Sequence, residues 1–425
     1  RDRSPSRGLG DVYKRQLKAI PADAADASLK KYRGQALASR AFDYLQLIQT
    51  YQLTYIGHET ANGVPLVLET TSDTELMNNP RASVQQVYGR IMEDLDEAIT
   101  LLTGASARAD KAEISVEVAY GLRARANLLM GKWAAAASDA AKAYGTSAPY
   151  SVADVSQPTF YNATDNAWIW GIVVTTEDYL AKTGIVNWPS NLCSLTGMGY
   201  TTAASATDVA YRLINKNLWA KIPETDVRKG WWVDEDLHSP VLDNGLGEDY
   251  AYYWANGMFN GGTFPSKFSP YTNVKFGPDN GTFADTDNAQ DWPLMRVEEM
   301  KLIEAEALGR DNLATGKQKL EEFVRQYRDP SYTCTAGSLD AFIDEVWFQR
   351  RVELWGEGFA LFDILRLKKP IIRQGANYPI NSTFAEIAAE APIMIYRIPE
   401  AETSVNSAIT EADNNPAAMA PTPVN

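Results

Sequence analysis

The chain has 425 residues, 45% of them hydrophobic and 22% charged, which is the composition of a folded globular protein with room for one large domain or two to three ordinary ones. A net charge of −14 argues against nucleic acid and anionic membrane as main partners, and the sequence holds no apolar run of the ~18 residues that a membrane-spanning helix needs. Two histidines (His58, His238) and two distant cysteines (Cys193, Cys334) argue against a His/Cys metal site or a Cys–His nucleophile. Whether the two thiols pair in a disulfide is open at this level.

Residues 1–16 are basic and aperiodic, with five Lys or Arg and two Asp or Glu. They read as a translated adapter-like stretch and are set apart from the fold. On that reading the true start of the protein, with any signal peptide or anchor cysteine, lies outside this sequence. Leu29, Tyr32, Ala36, Ala41, Tyr44, Leu45 and Ile48 then recur at three- and four-residue steps, predicting a helix over 29–51 with Asp26 or Ser28 as its cap. After a loop over 52–79, Ser83 and Gln86 form a capping box for a helix over 83–102. Helices over 116–130 and 133–144 turn at Gly131-Lys132. Their small residues (Ala119, Gly121, Ala124, Ala126 and the alanines after Trp133) permit close approach of a tetratricopeptide-like pair. Helices over 294–308 and 314–327 repeat the pattern.

The stretch 342–369 mixes charge and aromatic bulk at one helical period. Arg350, Arg351, Glu353, Glu357, Asp363 and Arg366 sit among Trp347, Phe348, Trp355, Phe359 and Phe362, so some of these charges must be buried, and buried charges persist only when paired. With Gly356-Glu357-Gly358 as a tight joint, the stretch predicts a helical hairpin stapled by internal ion pairs. The expected fold is mostly α: a tetratricopeptide-like scaffold of about four helix pairs over 17–144 and 293–411, with a large irregular loop and strand insertion over 145–292, all in one domain over 17–425.

The insertion differs in kind. A strand over 168–174, a helix over 206–219 and a short strand over 228–233 are expected, and the rest reads as loop rich in Gly, Asn, Asp and Pro with dense aromatics. A loop of such length is functional or disordered, and its aromatic content argues against disorder. Trp188, Trp232, Tyr250, Tyr252 and Trp254 are the candidate ligand-binding residues, with Trp231, Tyr253, Tyr271 and Trp292 beside them. Aromatic planes stack on the flat C–H faces of sugar rings, and neighbouring Asn, Asp and Arg bond hydroxyls. The alternative is that these rings pin long loops to the core. Trp168 and Trp170, alternating on a strand, read as core. Glu248-Asp249 and Asp285, Asp287 and Asp291 offer the paired acids of a glycosidase, but nothing marks one as desolvated and one as solvated. The 285–291 run could hold Ca²⁺ through oxygen ligands but lacks the full loop pattern. Phosphate-binding glycine loops are absent. No catalytic residue, metal site or cofactor is expected.

Several motifs in order resemble the SusD/RagB family of Bacteroidetes outer-membrane nutrient-binding lipoproteins. They include Gly34-Gln35-Ala36 with Arg40-Ala41-Phe42-Asp43-Tyr44, Gly63-Val64-Pro65-Leu66-Val67, Asp94-Leu95-Asp96-Glu97-Ala98 and Gly131-Lys132-Trp133. Further along come Thr225-Asp226-Val227-Arg228, Tyr271 to Phe276, Leu294 to Met300, Gln349 to Gly358 running on to Asp363 and Arg366, and Tyr396-Arg397-Ile398-Pro399-Glu400 running to Asn406. The resemblance implies a noncatalytic, lipid-anchored protein of the outer-membrane surface. It would capture oligosaccharides, or in some members peptides, for a SusC-type TonB-dependent transporter. It transfers the fold and not the ligand residues, and it implies that the anchor cysteine and first segment, with part of the binding surface, precede residue 17. Two other classes remain. An intracellular tetratricopeptide adaptor would show a smooth groove with no long aromatic insert, and a secreted glycosidase would depend on a single Asp or Glu.

Overall fold

The computed structural model describes residues 14–183, 187–197, 199, 211–258 and 266–424. Most of the expectation for residues 1–16 lies outside these. Among the described residues, eight helices form the scaffold. Helix α1 (Ala27–Tyr51) begins where the Asp26 carboxylate accepts from the Ser28 and Leu29 N–H groups at 2.9 and 3.0 Å. Helix α2 (Val84–Leu102) begins at the expected Ser83–Gln86 capping box. The two pack together closely, since a Cβ on Gly34 would lie 2.9 Å from Leu102 Cγ. Across them the buried Arg40 guanidinium donates twice to Asp94 at 2.7 Å. The loop between them is tied by an antiparallel ladder of β1 (Asn62–Pro65) and β2 (Arg81–Ser83).

Helices α3 (Val116–Leu129) and α4 (Trp133–Tyr144) form the second pair, turned by Gly131 at φ +71°. Helix α5 (Val297–Asp311) packs on α4 and on α6 (Leu313–Tyr327). The α5–α6 crossing is set by two glycines, because a Cβ on Gly316 would lie 2.3 Å from the Gly309 Cα. The obstacle is backbone, which cannot rotate away. Gly316→Ala is therefore expected to destabilise by about 1–3 kcal/mol, read as a lower midpoint in urea with unchanged slope. Helices α7 (Leu339–Glu353) and α8 (Ala360–Arg366) follow, joined through Gly356 and Gly358 at φ +81° and +90°. Left-handed backbone of this kind is what the two glycines supply.

A two-stranded ladder ties the early part of the insertion to its end. Strand β3 (Trp168–Ile172) pairs antiparallel with β4 (Trp292–Arg296), and β4 runs straight into α5. The helix expected from residue 294 thus begins at Val297. Short apolar runs read equally as strand or helix, and here pairing with β3 decides. Other expectations in the insertion also change. Residues 206–210 of the expected helix lie outside the described residues, and only Lys216–Trp219 of the remainder is helical. The expected strand over 228–233 is a 3₁₀ turn at Val227–Trp231, with Asp226 accepting from the Arg228 N–H at 2.9 Å. Two helices, Pro240–Leu246 and Glu248–Ala255, replace expected loop.

The buried apolar residues form three clusters. One lies between α1 and α5 and takes in Ile169 and Trp170, one fills the insertion and reaches Val352, and one lies between α5, α6 and α7. Cys193 and Cys334 are buried in different clusters and form no disulfide.

Candidate functional site

The α7–α8 hairpin is the centre of a buried ionic network. Glu353 accepts from Arg328 Nε and Nη2 at 2.8 Å each, and from Arg228 and Arg296 at 3.3 and 3.4 Å. Glu357 takes two bonds from Arg296 at 2.8 Å and one from Lys275 Nζ at 2.7 Å. Glu298 bridges Arg296 and Arg328 at 2.8 and 3.0 Å, and Asp226 holds Arg228 at 2.6 Å. Four cations thus face four carboxylates. The side chains of Arg228, Arg296, Arg328, Glu298 and Glu353 are 0% exposed, which leaves a substrate no access. Burial alone would raise the Glu353 carboxyl, but Arg328, Arg296 and Arg228 outweigh it and hold the group well below the usual carboxylate range. Burial pushes the Lys275 ammonium down to about 8.

The expected internal staple is only partly internal. Arg350 and Arg366 pair with Asp363 at 2.8 and 2.6 Å within the hairpin. Glu353 and Glu357 reach instead to the 3₁₀ turn, to Lys275, to β4 and to the residue that ends α6. Arg351 joins neither set and lies over the Trp347 ring at 4.8 Å. Arg366 also binds Glu306 of α5 at 2.7 and 2.8 Å. Burial would raise the Glu306 carboxyl, but Arg366 and Arg310 hold it at about 2 against an ordinary 4.5. A depressed carboxylate contributes stability that is present above its unfolded value and lost as pH falls through the folded one. The Glu306 share, on the order of 3 kcal/mol, is expected to disappear between about pH 4.5 and pH 2. Denaturant titrations of the wild type and Glu306→Gln at several pH values should converge at the acid end.

The candidate ligand residues divide by burial. Trp232 and Trp254 are 1% and 0% exposed, which corrects the expectation that their ring faces meet a ligand. Trp232 sits edge-on to Trp355 at 5.6 Å. Trp254 donates from Nε1 to the Ser194 carbonyl at 3.0 Å and packs edge-on to Phe283 at 4.3 Å. The segment reads as loop in the sequence, which gives no face by which to tell inward from outward aromatics. Trp188 is half-buried on the short helix Trp188–Leu192, with its ring against Phe276 and Trp292 at 4.7 and 6.5 Å. Tyr250 and Tyr252 are 57% and 58% exposed, and Tyr253 joins them at 47%. All three stand on the outer face of Glu248–Ala255, whose inner face buries Ala251, Trp254 and Ala255. The Tyr252 and Tyr253 rings meet edge-to-face at 5.9 Å. Trp254 therefore anchors a helix that presents three tyrosines, so Tyr250 and Tyr252 are exposed on one helix while Trp232 lies in the core.

Two cavities are formed by the described residues. One, of about 240 Å³, lies between α1, α3, α5 and the hairpin joint, with apolar walls including Phe42, Leu129, Phe359 and Phe362 and with Arg125, Glu299, Arg350, Glu357, Asp363 and Arg366 at its polar side. The other, of about 290 Å³, is polar and lies within the insertion, lined by Tyr161, Asn162, residues 173–176, Asp279, Asn280, Ala289 and Asp291. Sequence reasoning missed Tyr161 and Asn162, because no local pattern links them to residues more than a hundred positions away. No group of three or more His, Cys, Asp or Glu among the described residues could hold a metal ion, which includes the described 285–291 run. No helix among them is long and apolar enough to cross a membrane.

This architecture is matched by known proteins. A family model described as starch-binding and associating with the outer membrane matches residues 15–128, and the model of the SusD family matches residues 204–416. The chain belongs to the SusD family. Solved structures share its fold. A SusD-like carbohydrate binding protein from Bacteroides vulgatus is 22% identical with a TM-score of 0.71, over 95% of this chain and 83% of that one. A SusD superfamily protein from Bacteroides thetaiotaomicron is 19% identical with a TM-score of 0.72, over 97% and 85%. A laminarin binding SusD-like protein is 19% identical with a TM-score of 0.61, over 97% and 84%. No curated protein matches the chain.

Proposed function

We propose that this chain is a noncatalytic glycan-binding protein of the outer-membrane surface. It captures oligosaccharide and passes it to a SusC-type TonB-dependent transporter, acting as a lipid-anchored protein. Residues 17–425 act as one unit, in which the helices over 17–144 and 293–411 carry the insertion over 145–292. The observation that carries this reading is the exposed trio Tyr250, Tyr252 and Tyr253 on an insertion fixed to a rigid scaffold. The laminarin binding of one structural relative and the starch-binding description of the matched family support the glycan class. Tyr250 and Tyr252 stack on sugar faces, Trp188 contributes the exposed part of its ring, and Trp232 and Trp254 support the surface from below. The ionic network around Glu353 is structural, being closed to substrate.

Calorimetric titration with a panel of polysaccharides and peptides tests the binding function. Binding to at least one glycan is expected, and silence across the panel contradicts the reading. Co-purification with a SusC-type transporter tests the delivery step separately.

A further inference from the structure

The polar cavity in the insertion shares no residue with the tyrosine helix or with the ionic network around Glu353. Its walls come from the chain just before β3, the chain just after it and the loop before β4, three stretches that the two-stranded ladder ties together. Tyr161 gives an aromatic wall. Asn162, Asn280, Thr175 and Thr176 give amide and hydroxyl groups, and Asp279 a half-buried carboxylate. The volume of about 290 Å³ lies at the small end of ligand pockets, a size for one sugar ring and not a chain. An apolar wall with several convergent polar groups is the usual make-up of a small-ligand site.

The charge at this pocket has one sign. Burial raises the Asp279 carboxyl first, and Asp285, Asp291 and Asp287 raise it further. Asp291 is raised by burial and by Asp110 and Asp165, while its two oxygens accept from the Ala163 and Val174 N–H groups at 2.8 Å. The two charged side chains that line the pocket, Asp279 and Asp291, are both carboxylates. An anionic ligand there would be repelled by both lining carboxylates, whereas sugar hydroxyls and ammonium groups donate to carboxylates.

We propose that the cavity between Tyr161, Thr176, Asp279 and Asn280 is a second carbohydrate subsite, which takes a single neutral or amino-bearing sugar residue and rejects anionic ones such as uronic acids. The subsite rests on the glycan-binding reading and adds the substrate class to it. It lies in the same insertion as the tyrosine helix, and Phe283 of the loop that forms its wall packs on Trp254 beneath those tyrosines.

The test uses saturation-transfer NMR of the full chain with glucose, glucosamine and glucuronate, and calorimetry with a neutral glucan that the wild type binds. Glucose and glucosamine signals are expected and glucuronate silence. Thr176→Trp, at an exposed lining position, should remove the monosaccharide signals, and Asp279→Lys should weaken glucosamine at least tenfold while admitting glucuronate. Glucuronate binding to the wild type, or monosaccharide signals that survive Thr176→Trp, overturn the subsite. If the glucan still binds and still depends on Tyr252 in that case, the glycan-binding reading stands without it. If no glycan binds the wild type at all, both fall.

Discussion

Glu353→Ala is expected to cost on the order of 3–5 kcal/mol, a large part of the ~5–15 kcal/mol that holds a typical domain folded. The reason is the company Glu353 keeps. Its two oxygens neutralise Arg328 at 2.8 Å and share Arg228 and Arg296 at 3.3 and 3.4 Å. Removing it strands cationic charge where side chains are 0% exposed. The guanidiniums remain charged, and water cannot reach them without opening the junction of α6, α7 and β4. Glu357→Ala acts on the same network through Arg296 and Lys275, so the two losses should not add. Chemical denaturation of the single and double variants measures this. A Glu353→Ala protein with wild-type stability would show that the network carries no net weight.

Trp254→Ala is expected to cost a similar ~3–5 kcal/mol. The ring is wholly buried, and its loss leaves a cavity under Glu248–Ala255 and removes the bond to the Ser194 carbonyl. Any glycan affinity lost with it would follow from displacement of the tyrosine helix. Trp254→Phe, which keeps most of the packing, should then recover much of the binding. A Trp254→Ala protein with wild-type stability and lost affinity would instead return Trp254 to the ligand surface.

The scaffold was legible in the sequence because its signals are local. The caps at Asp26 and Ser83, the Gly131 turn, and the glycine joint at 356–358 each stand at their expected places. The charged hairpin declared that it must be buried, but not with what. Arg228, Lys275, Arg296 and Arg328 come from four separate elements, and no spacing rule joins them. The insertion was less legible for the same reason. Its strands are short, its helix Glu248–Ala255 starts at Gly247 with no side-chain cap, and its polar cavity assembles residues from three distant stretches. The tyrosine-rich segment reads in the sequence as aromatic loop and not as a helix, so its inward and outward residues could not be separated. Tyr250 and Trp254 fall close to one face by period, yet one is 57% exposed and the other 0%.

We propose that exposed tyrosines of the insertion, and not the conspicuous charged hairpin, meet the ligand. The direct measurement is calorimetry of a bound glycan with the wild type and with a Tyr250→Ala/Tyr252→Ala double variant, alongside their denaturation midpoints. Both rings are more than half exposed, so stability should stay within about 0.5 kcal/mol for each change. Affinity should fall at least tenfold, or ~1.4 kcal/mol. Unchanged affinity in a folded double variant would contradict the account.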